Sequence, residues 1–162
     1  MVGLICLLFW AHIPETPLPD GSTADGILVE KALRRLTLYQ GTNALRQYRV
    51  ALGRRPVGDK EQEGDKKTPE GVFTIDRRKL DSSFHLSLHI SYPDEFHTVR
   101  AKGKGVSPGS DIMIHGIRNG LSWAGKIHRW IDWTAGCIAV TDWEIQEIAK
   151  AVPDGTRIEI RP

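Results

Sequence analysis

Residues 112–138 read IMIHGIRNGLSWAGKIHRWIDWTAGCI, and both ends of this stretch carry chemistry. Ile112-Met113-Ile114 is an apolar β-prone run that delivers His115 and Gly116 at its end. After an intervening loop, Asp132-Trp133-Thr134-Ala135-Gly136-Cys137-Ile138 sets a cysteine directly behind a glycine, 22 positions beyond His115. A cysteine is a poor nucleophile until it is thiolate, and a histidine in contact with it lowers its pKa and later protonates a leaving amine. Gly136 lets backbone approach a substrate carbonyl closely, and amides at such a turn can hold an oxyanion. One Cys with one His is the minimum kit for acyl transfer. Spacing alone does not decide the matter, because free cysteine is among the most buried residue types.

Outward from this stretch the chain reads as mainly β. Toward the C-terminus a helix starts at Thr141, with Glu144 completing a capping box, and Ile145, Ile148, Ala149 and Val152 on one face. It stops at Pro153 and Gly155, and Arg157 to Ile160 forms a last strand. Toward the N-terminus, Phe84 to Ile90 alternates, with Phe84, Leu86, Leu88 and Ile90 on one face and His85, Ser87 and His89 on the other. Val72 to Ile75, Tyr48 to Leu52, Leu36 to Tyr39 and Ile27 to Val29 are further β-prone runs. Gly41-Thr42-Asn43 supplies a turn, and residues 101–111 read as a Gly/Pro/Ser-rich loop. The expected fold is an antiparallel β-sandwich or barrel-like domain with one helix near the C-terminus. Residues 53–71 are nearly devoid of apolar side chains, and each charge there reads most simply as part of a solvated loop.

The composition fits one soluble domain: 162 residues, 22 Lys plus Arg against 20 Asp plus Glu, 40% hydrophobic. Disorder throughout is excluded, and no Lys/Arg stripe of the kind that neutralises phosphates is present, so nucleic acid is not an expected partner. Residues 1–12 form an apolar stub shorter than the roughly 20 residues of a membrane-spanning helix. With no Lys or Arg before it and no small-x-small cleavage site after it, the stub reads as a degraded export signal or an anchor, the alternative being a strand or helix packed on the core. Leu4 and Ile5 before Cys6 do not favour a lipidation site. Residues 13–25 contain three prolines and read as a linker, leaving 26–162 as the catalytic domain.

Strand-His-Gly, a loop, then Thr-x-Gly-Cys-Ile leading into a helix resembles the active-site signature of the YkuD-type L,D-transpeptidases. The likeness runs from about Ile27 to the C-terminus, through the Val50-Ala51-Leu52-Gly53 strand and the Thr68-Pro69-Glu70-Gly71 turn. It implies a cofactor-free, metal-free acyltransferase in which Cys137 attacks the carbonyl between a diamino acid and D-alanine in a peptidoglycan stem peptide. His115 is then the general acid/base, the Gly116 carbonyl orients its ring, Gly136 lies at the oxyanion turn, and Thr134 shapes the loop or touches substrate. The resemblance also implies a periplasmic or otherwise extracytoplasmic monomer, tethered to the membrane if the N-terminus is an anchor. Stem peptides are the implied partners, and a wall-linked lipoprotein is a further one.

Two positions depart from the family pattern: Ala135 stands where His or Lys is frequent, and Ala139 where an Arg commonly follows Cys-Ile. Arg118, Lys126 and Arg129 are the candidate replacement cations, with Arg118 nearest the strand end that holds His115. The segment from Arg118 to Trp133 is longer than in compact members and reads as a lid. His128 competes with His115 as acid/base, but it lies in a charged loop, whereas His115 ends a strand that fixes its geometry. His85 and His89 with Cys137 form the alternative of a zinc site, and His89 otherwise borders the cleft. Trp123, Trp130, Trp133 and Trp143 read as walls packed against the sheet rather than a sugar platform. Hydrolysis at the same site, as an L,D-carboxypeptidase or endopeptidase, and a non-catalytic wall-binding module are the competing functions.

Overall fold

The computed structural model describes residues 16–162, so the apolar stub with Cys6 and the first residues of the proline-rich segment lie outside it. The strands are β1 (Gly26–Glu30), β2 (Arg35–Gln40), β3 (Asn43–Arg49), β4 (Gly71–Ser82), β5 (His85–Ile90), β6 (Met113–His115), β7 (Ile138–Ala139) and β8 (Arg157–Arg161). They form one eight-stranded sheet in the order β3-β2-β1-β8-β4-β5-β6-β7. Most neighbours are antiparallel, but β1 with β8 and β6 with β7 run parallel. Short runs of alternating or β-branched residues carry no information about partner direction, so the sequence could not distinguish the expected antiparallel arrangement from this mixed order.

The sheet curls because its far edges meet. Ala51, just past β3, bridges Ala139 of β7 through two backbone hydrogen bonds of 2.9 and 2.8 Å, and Gly53 bridges Thr134. Inside the curl, Leu36, Leu38, Ile75, Leu88, Ile90 and Ile158 are fully buried. The helix α2 (Asp142–Ala151) closes one side of this core with Ile145, Ile148 and Ala151, and Thr141 stands at its N-cap with its amide bonded to the Glu144 side chain. Residues 16–25 have no regular structure, yet Leu18 packs against the core and Ala24 is buried. Among the described residues no helix is long and apolar enough to cross a membrane.

Two helical segments escape sequence reading. Helix α1 (Glu95–Gly103) is capped by Asp94, whose side chain accepts from the His97 amide, and buries only His97 and Ala101. With Phe96 and Val99 exposed it has no apolar stripe to betray it. The 3-10 segment Ser122–Trp130 lies where a lid was expected, broken by Gly125 at φ 45°.

The polar stretch 53–71 is the main correction. Arg54, Arg55, Glu61, Glu63 and Lys66 are exposed as expected, but the stretch is built around charges that are buried or half-buried. Lys31 is 2% exposed, and its ammonium uses all three protons, on the carbonyls of Gly58 and Thr68 and on Glu70. Lys60, also buried, bonds the Gln62 carbonyl and Asp65, and the Asp65 carboxylate accepts the amides of Glu61, Gln62 and Lys67. Asp59 accepts the Glu70 amide and pairs with His97 and Arg100 of α1. A charge is tolerated in such a place only when it is paired and hydrogen-bonded, as Lys31, Lys60 and Asp59 are here.

Candidate active site

The site is assembled where two parallel strands end side by side. Strands β6 and β7 pair Ile114 with Ile138 and His115 with Ala139. Cys137 immediately precedes β7, so the register sets it level with Met113, on the side of the sheet that His115 also occupies. Both residues line one cavity of about 710 Å³. Its wall is mostly apolar, from Phe84, Ile117, Leu121, Ile127, Ile131 and Trp133, and its cations are Arg54, Lys66 and Arg118.

His115 is 3% exposed, and its Nδ1 lies 2.6 Å from the Gly116 carbonyl oxygen. A carbonyl only accepts, so Nδ1 carries the proton and Nε2 keeps a lone pair. Phe84 packs on the imidazole at 4.5 Å between centroids, and the Trp133 ring meets it edge-on at 5.7 Å. Burial pulls the His115 pKa down to about 4, against a smaller upward pull from its bond to Gly116. The Cys137 thiol lies 3.5 Å from the Asp111 carbonyl oxygen. Burial pushes its pKa up, the Met113 backbone and Lys60 opposing and Asp111 adding to the rise. At neutral pH the resting pair is therefore a thiol beside a neutral imidazole. The thiolate expected from sequence is disfavoured because desolvation outweighs every nearby positive charge.

Three glycines here are steric requirements. A β-carbon on Gly136 would sit 2.7 Å from the Lys67 carbonyl oxygen, and its φ of 142° is itself rare for other residues. On Gly53 it would sit 2.2 Å from the Lys66 carbonyl oxygen, and on Gly116 it would meet the Asp142 carboxylate at 2.7 Å. The loop built on Lys31 thus runs directly against the turn that carries Cys137.

The remaining candidates separate. The hydroxyl of Thr134 donates to the Cys137 carbonyl at 2.7 Å and accepts the Gly136 amide at 3.1 Å, so it is engaged in the loop. The Gly136 amide is accordingly not free to meet an oxyanion. Arg118 is exposed at the cavity edge, and no hydrogen bond or ion pair holds its guanidinium among the described residues. Arg129 is directed elsewhere: it is buried, donates to Glu144 at 2.7 Å and to the Arg49 carbonyl at 2.9 Å, and does not line the cavity. His89 also lies off this cavity, with Nδ1 2.6 Å from Asp76, in a smaller one with Arg77, Lys79 and Met113. His85 bonds Gln146, so the three residues weighed for zinc are engaged separately. No group of three His, Cys, Asp or Glu among the described residues is arranged to hold a metal ion. Trp123, His128 and Trp133 line the cavity, and Trp123 and Trp130 are more than half exposed.

Sequence reasoning missed Arg54, Lys66 and Phe84. The two cations sit in the polar stretch, where nothing local marks one charge from another. Phe84 reads as a core residue by alternation, but His85 adopts φ 67°, turning the chain between β4 and β5 so that Phe84 covers His115.

Comparison with known proteins agrees with this geometry. The model of the YkuD family, the L,D-transpeptidase catalytic domain, matches residues 24–160. YafK of Escherichia coli K12, assigned to the L,D-transpeptidases, is 29% identical over 132 residues, covering 78% of this chain and 46% of its own length. The chain thus spans about half of that relative. The helical cell shape determining protein Pgp2 of Campylobacter jejuni superposes with a TM-score of 0.66 at 22% identity, over 97% of this chain and 54% of its own. An L,D-transpeptidase from Mycobacterium smegmatis gives 0.56 at 13% identity, over 86% and 59%. With the signature strands, the eight-stranded sheet and this match in agreement, the chain belongs to the YkuD family of L,D-transpeptidase catalytic domains.

Proposed function

We propose that the protein is a cysteine acyltransferase acting on peptidoglycan stem peptides outside the cytoplasm, with Cys137 as nucleophile and His115 as acid/base. The observation that carries this reading is the meeting of His115 and Cys137 at adjacent strand ends in one cavity, with the imidazole Nδ1 fixed on Gly116 and Nε2 left as the base.

Because both groups rest neutral, proton transfer accompanies attack. The Cys137 sulfur bonds to the carbonyl carbon between the diamino acid and D-alanine while its proton passes to His115 Nε2. Collapse of the tetrahedral intermediate breaks the C–N bond. His115 returns the proton to the departing D-alanine amine, leaving a thioester on Cys137. An acceptor amine, from another stem or from a wall-linked lipoprotein, then attacks the thioester and loses its proton through His115, which reprotonates the sulfur. Apolar walls exclude bulk water during these transfers. The exposed Arg118 guanidinium suits a stem carboxylate at the cavity edge.

The test is mass analysis of a stem tetrapeptide incubated with the protein, with and without an acceptor amine. Release of D-alanine with an amide-linked product supports transpeptidation, and tripeptide alone reassigns the acceptor to water. No consumption of tetrapeptide overturns the reading, as does wild-type turnover by Cys137→Ala.

A further inference from the structure

We infer that His128 is a positioning residue that acts through Trp133 on His115; the inference rests on His115 being the acid/base of this site. The Trp133 indole nitrogen lies 3.2 Å from His128 Nδ1. An indole N–H only donates, so Nδ1 must accept, and the His128 ring is neutral with its proton on Nε2. That Nε2 is buried without a hydrogen-bond partner among the described residues. A leucine or phenylalanine would fill the same space without burying an orphan N–H. What the imidazole adds is the acceptor that fixes the orientation of the indole. Trp133 in turn presents its ring edge-on to both imidazoles, at 5.7 Å from His115 and 6.1 Å from His128.

The indole is one of two aromatic walls that keep water from His115, Phe84 being the other. A loosened indole admits water to the imidazole, and hydration stabilises its charged form. The groups around His115 from each neighbouring element are the Gly116 carbonyl, Cys137, His128 and Arg118, with Asp142 of α2 beside Gly116. Asp142 Oδ1 accepts the Ile117 amide at 2.7 Å. Within this set, the neutral His128–Trp133 pair controls access of water rather than local charge. Burial holds His128 itself down at about 3, with Arg129 and His115 adding to the effect, so the pair stays intact across the physiological range.

The experiment titrates His115 by NMR of histidine-labelled protein and, in parallel, measures Cys137 acylation by a carbapenem through intact mass. His128→Leu should raise the His115 pKa by about one unit, since hydration of a buried histidine reverses its depression, and slow acylation roughly tenfold, the scale on which positioning of an acid/base acts. His128→Gln supplies an oxygen to the indole N–H and should rescue both. Trp133→Phe should reproduce the leucine variant, and adding His128→Leu to it should change nothing further. An unchanged His115 titration and acylation rate in a folded His128→Leu protein overturns the inference. So does failure of glutamine to rescue, or an Nδ1–H tautomer of His128 in the wild type. Should His128→Leu not fold, the tautomer, glutamine and Trp133→Phe arms decide. If the wild type is not acylated, the proposed function fails, while the His115 titration still judges the coupling.

Discussion

Arg129 and Glu144 form a buried ion pair, 2.7 Å apart with side chains 7% and 2% exposed, that fastens the 3-10 segment to the start of α2. Glu144 also accepts the Thr141 amide at 2.8 Å, so one carboxylate caps the helix and anchors the segment. Removing the arginine leaves that carboxylate buried and unpaired, a change that costs about 3 to 5 kcal/mol. Arg129→Ala should therefore lower the melting temperature by about 10 °C. The KM of the fraction that remains folded should stay near wild type. A large KM change at unaltered stability would return Arg129 to the substrate.

Lys31 ties β1 to the stretch 53–71, and through that stretch to Gly136 beside Cys137. Lys31→Met keeps the aliphatic stem but removes the bonds to Gly58, Thr68 and Glu70 and leaves the buried Thr68 carbonyl unsatisfied, a loss of about 1 to 3 kcal/mol. Limited proteolysis should then cut between residues 53 and 71 in the variant and spare the wild type. Acylation of Cys137 by a carbapenem should fall with it, since the backbone of this stretch packs against the nucleophile turn. Equal protease resistance of the two proteins would show that the loop is held by other contacts.

How much of this was legible in the sequence depended on whether the information was local. The helix from Thr141, with its capping box and apolar stripe, and the strand ending in His115-Gly116 both follow from neighbouring residues. Helix α1 is stabilised by its cap and by His97 meeting Asp59, a residue 38 positions away, and local periodicity cannot report that. The polar stretch misled for the same reason, because Lys31, which pairs with Glu70, lies in the turn between β1 and β2, and His97 and Arg100, which pair with Asp59, lie in α1. At the site, the cysteine and histidine were readable from their motif, whereas Arg129 and His89 carry the right chemistry but meet Glu144 and Asp76 first.

Stability should fall as the pH drops from about 6.5 toward 5. Burial holds His115 at about 4 and His128 at about 3, against an ordinary value near 6.5. In that window the unfolded chain binds protons that the folded chain refuses, so unfolding is favoured as pH falls, by roughly 3 kcal/mol from His115 once its folded pKa is reached. His97 works in the opposite sense. Its bonds to Asp59 and Asp94 overcome burial and raise its pKa, so its stabilisation is complete below about 6.5 and is lost as pH rises through the elevated value. Melting temperatures from pH 5 to 8 check both arms: His128→Gln should shallow the acid arm and His97→Gln the alkaline one. A flat profile below pH 6.5 would mean that His115 is hydrated.

We propose that Arg118, at the cavity edge, takes the place of the arginine missing after Cys137-Ile138. A stem peptide carries carboxylates, and a partly desolvated carboxylate needs a cation with hydrogen-bonding geometry, for which the planar guanidinium is well suited. Arg118 lies three residues past His115 and lines the cavity without a partner among the described residues. Arg54 is already engaged, its Nε donating to the Trp133 carbonyl at 3.1 Å, and Lys66 offers only a point charge. Arg118→Ala should raise the KM for stem tetrapeptide about tenfold to a hundredfold, the loss expected for a charge-assisted hydrogen bond of about 1.5 to 3 kcal/mol. Arg118→Lys should recover only part of it. Acylation by a carbapenem should change less, since that ligand lacks most of the stem. Unaltered stem-peptide kinetics in Arg118→Ala, with weakened binding in Lys66→Ala, would shift carboxylate recognition to the loop that Lys31 anchors. Silence in both variants would mean that the carboxylate stays in water and that the apolar wall around Phe84 and Trp133 supplies the binding.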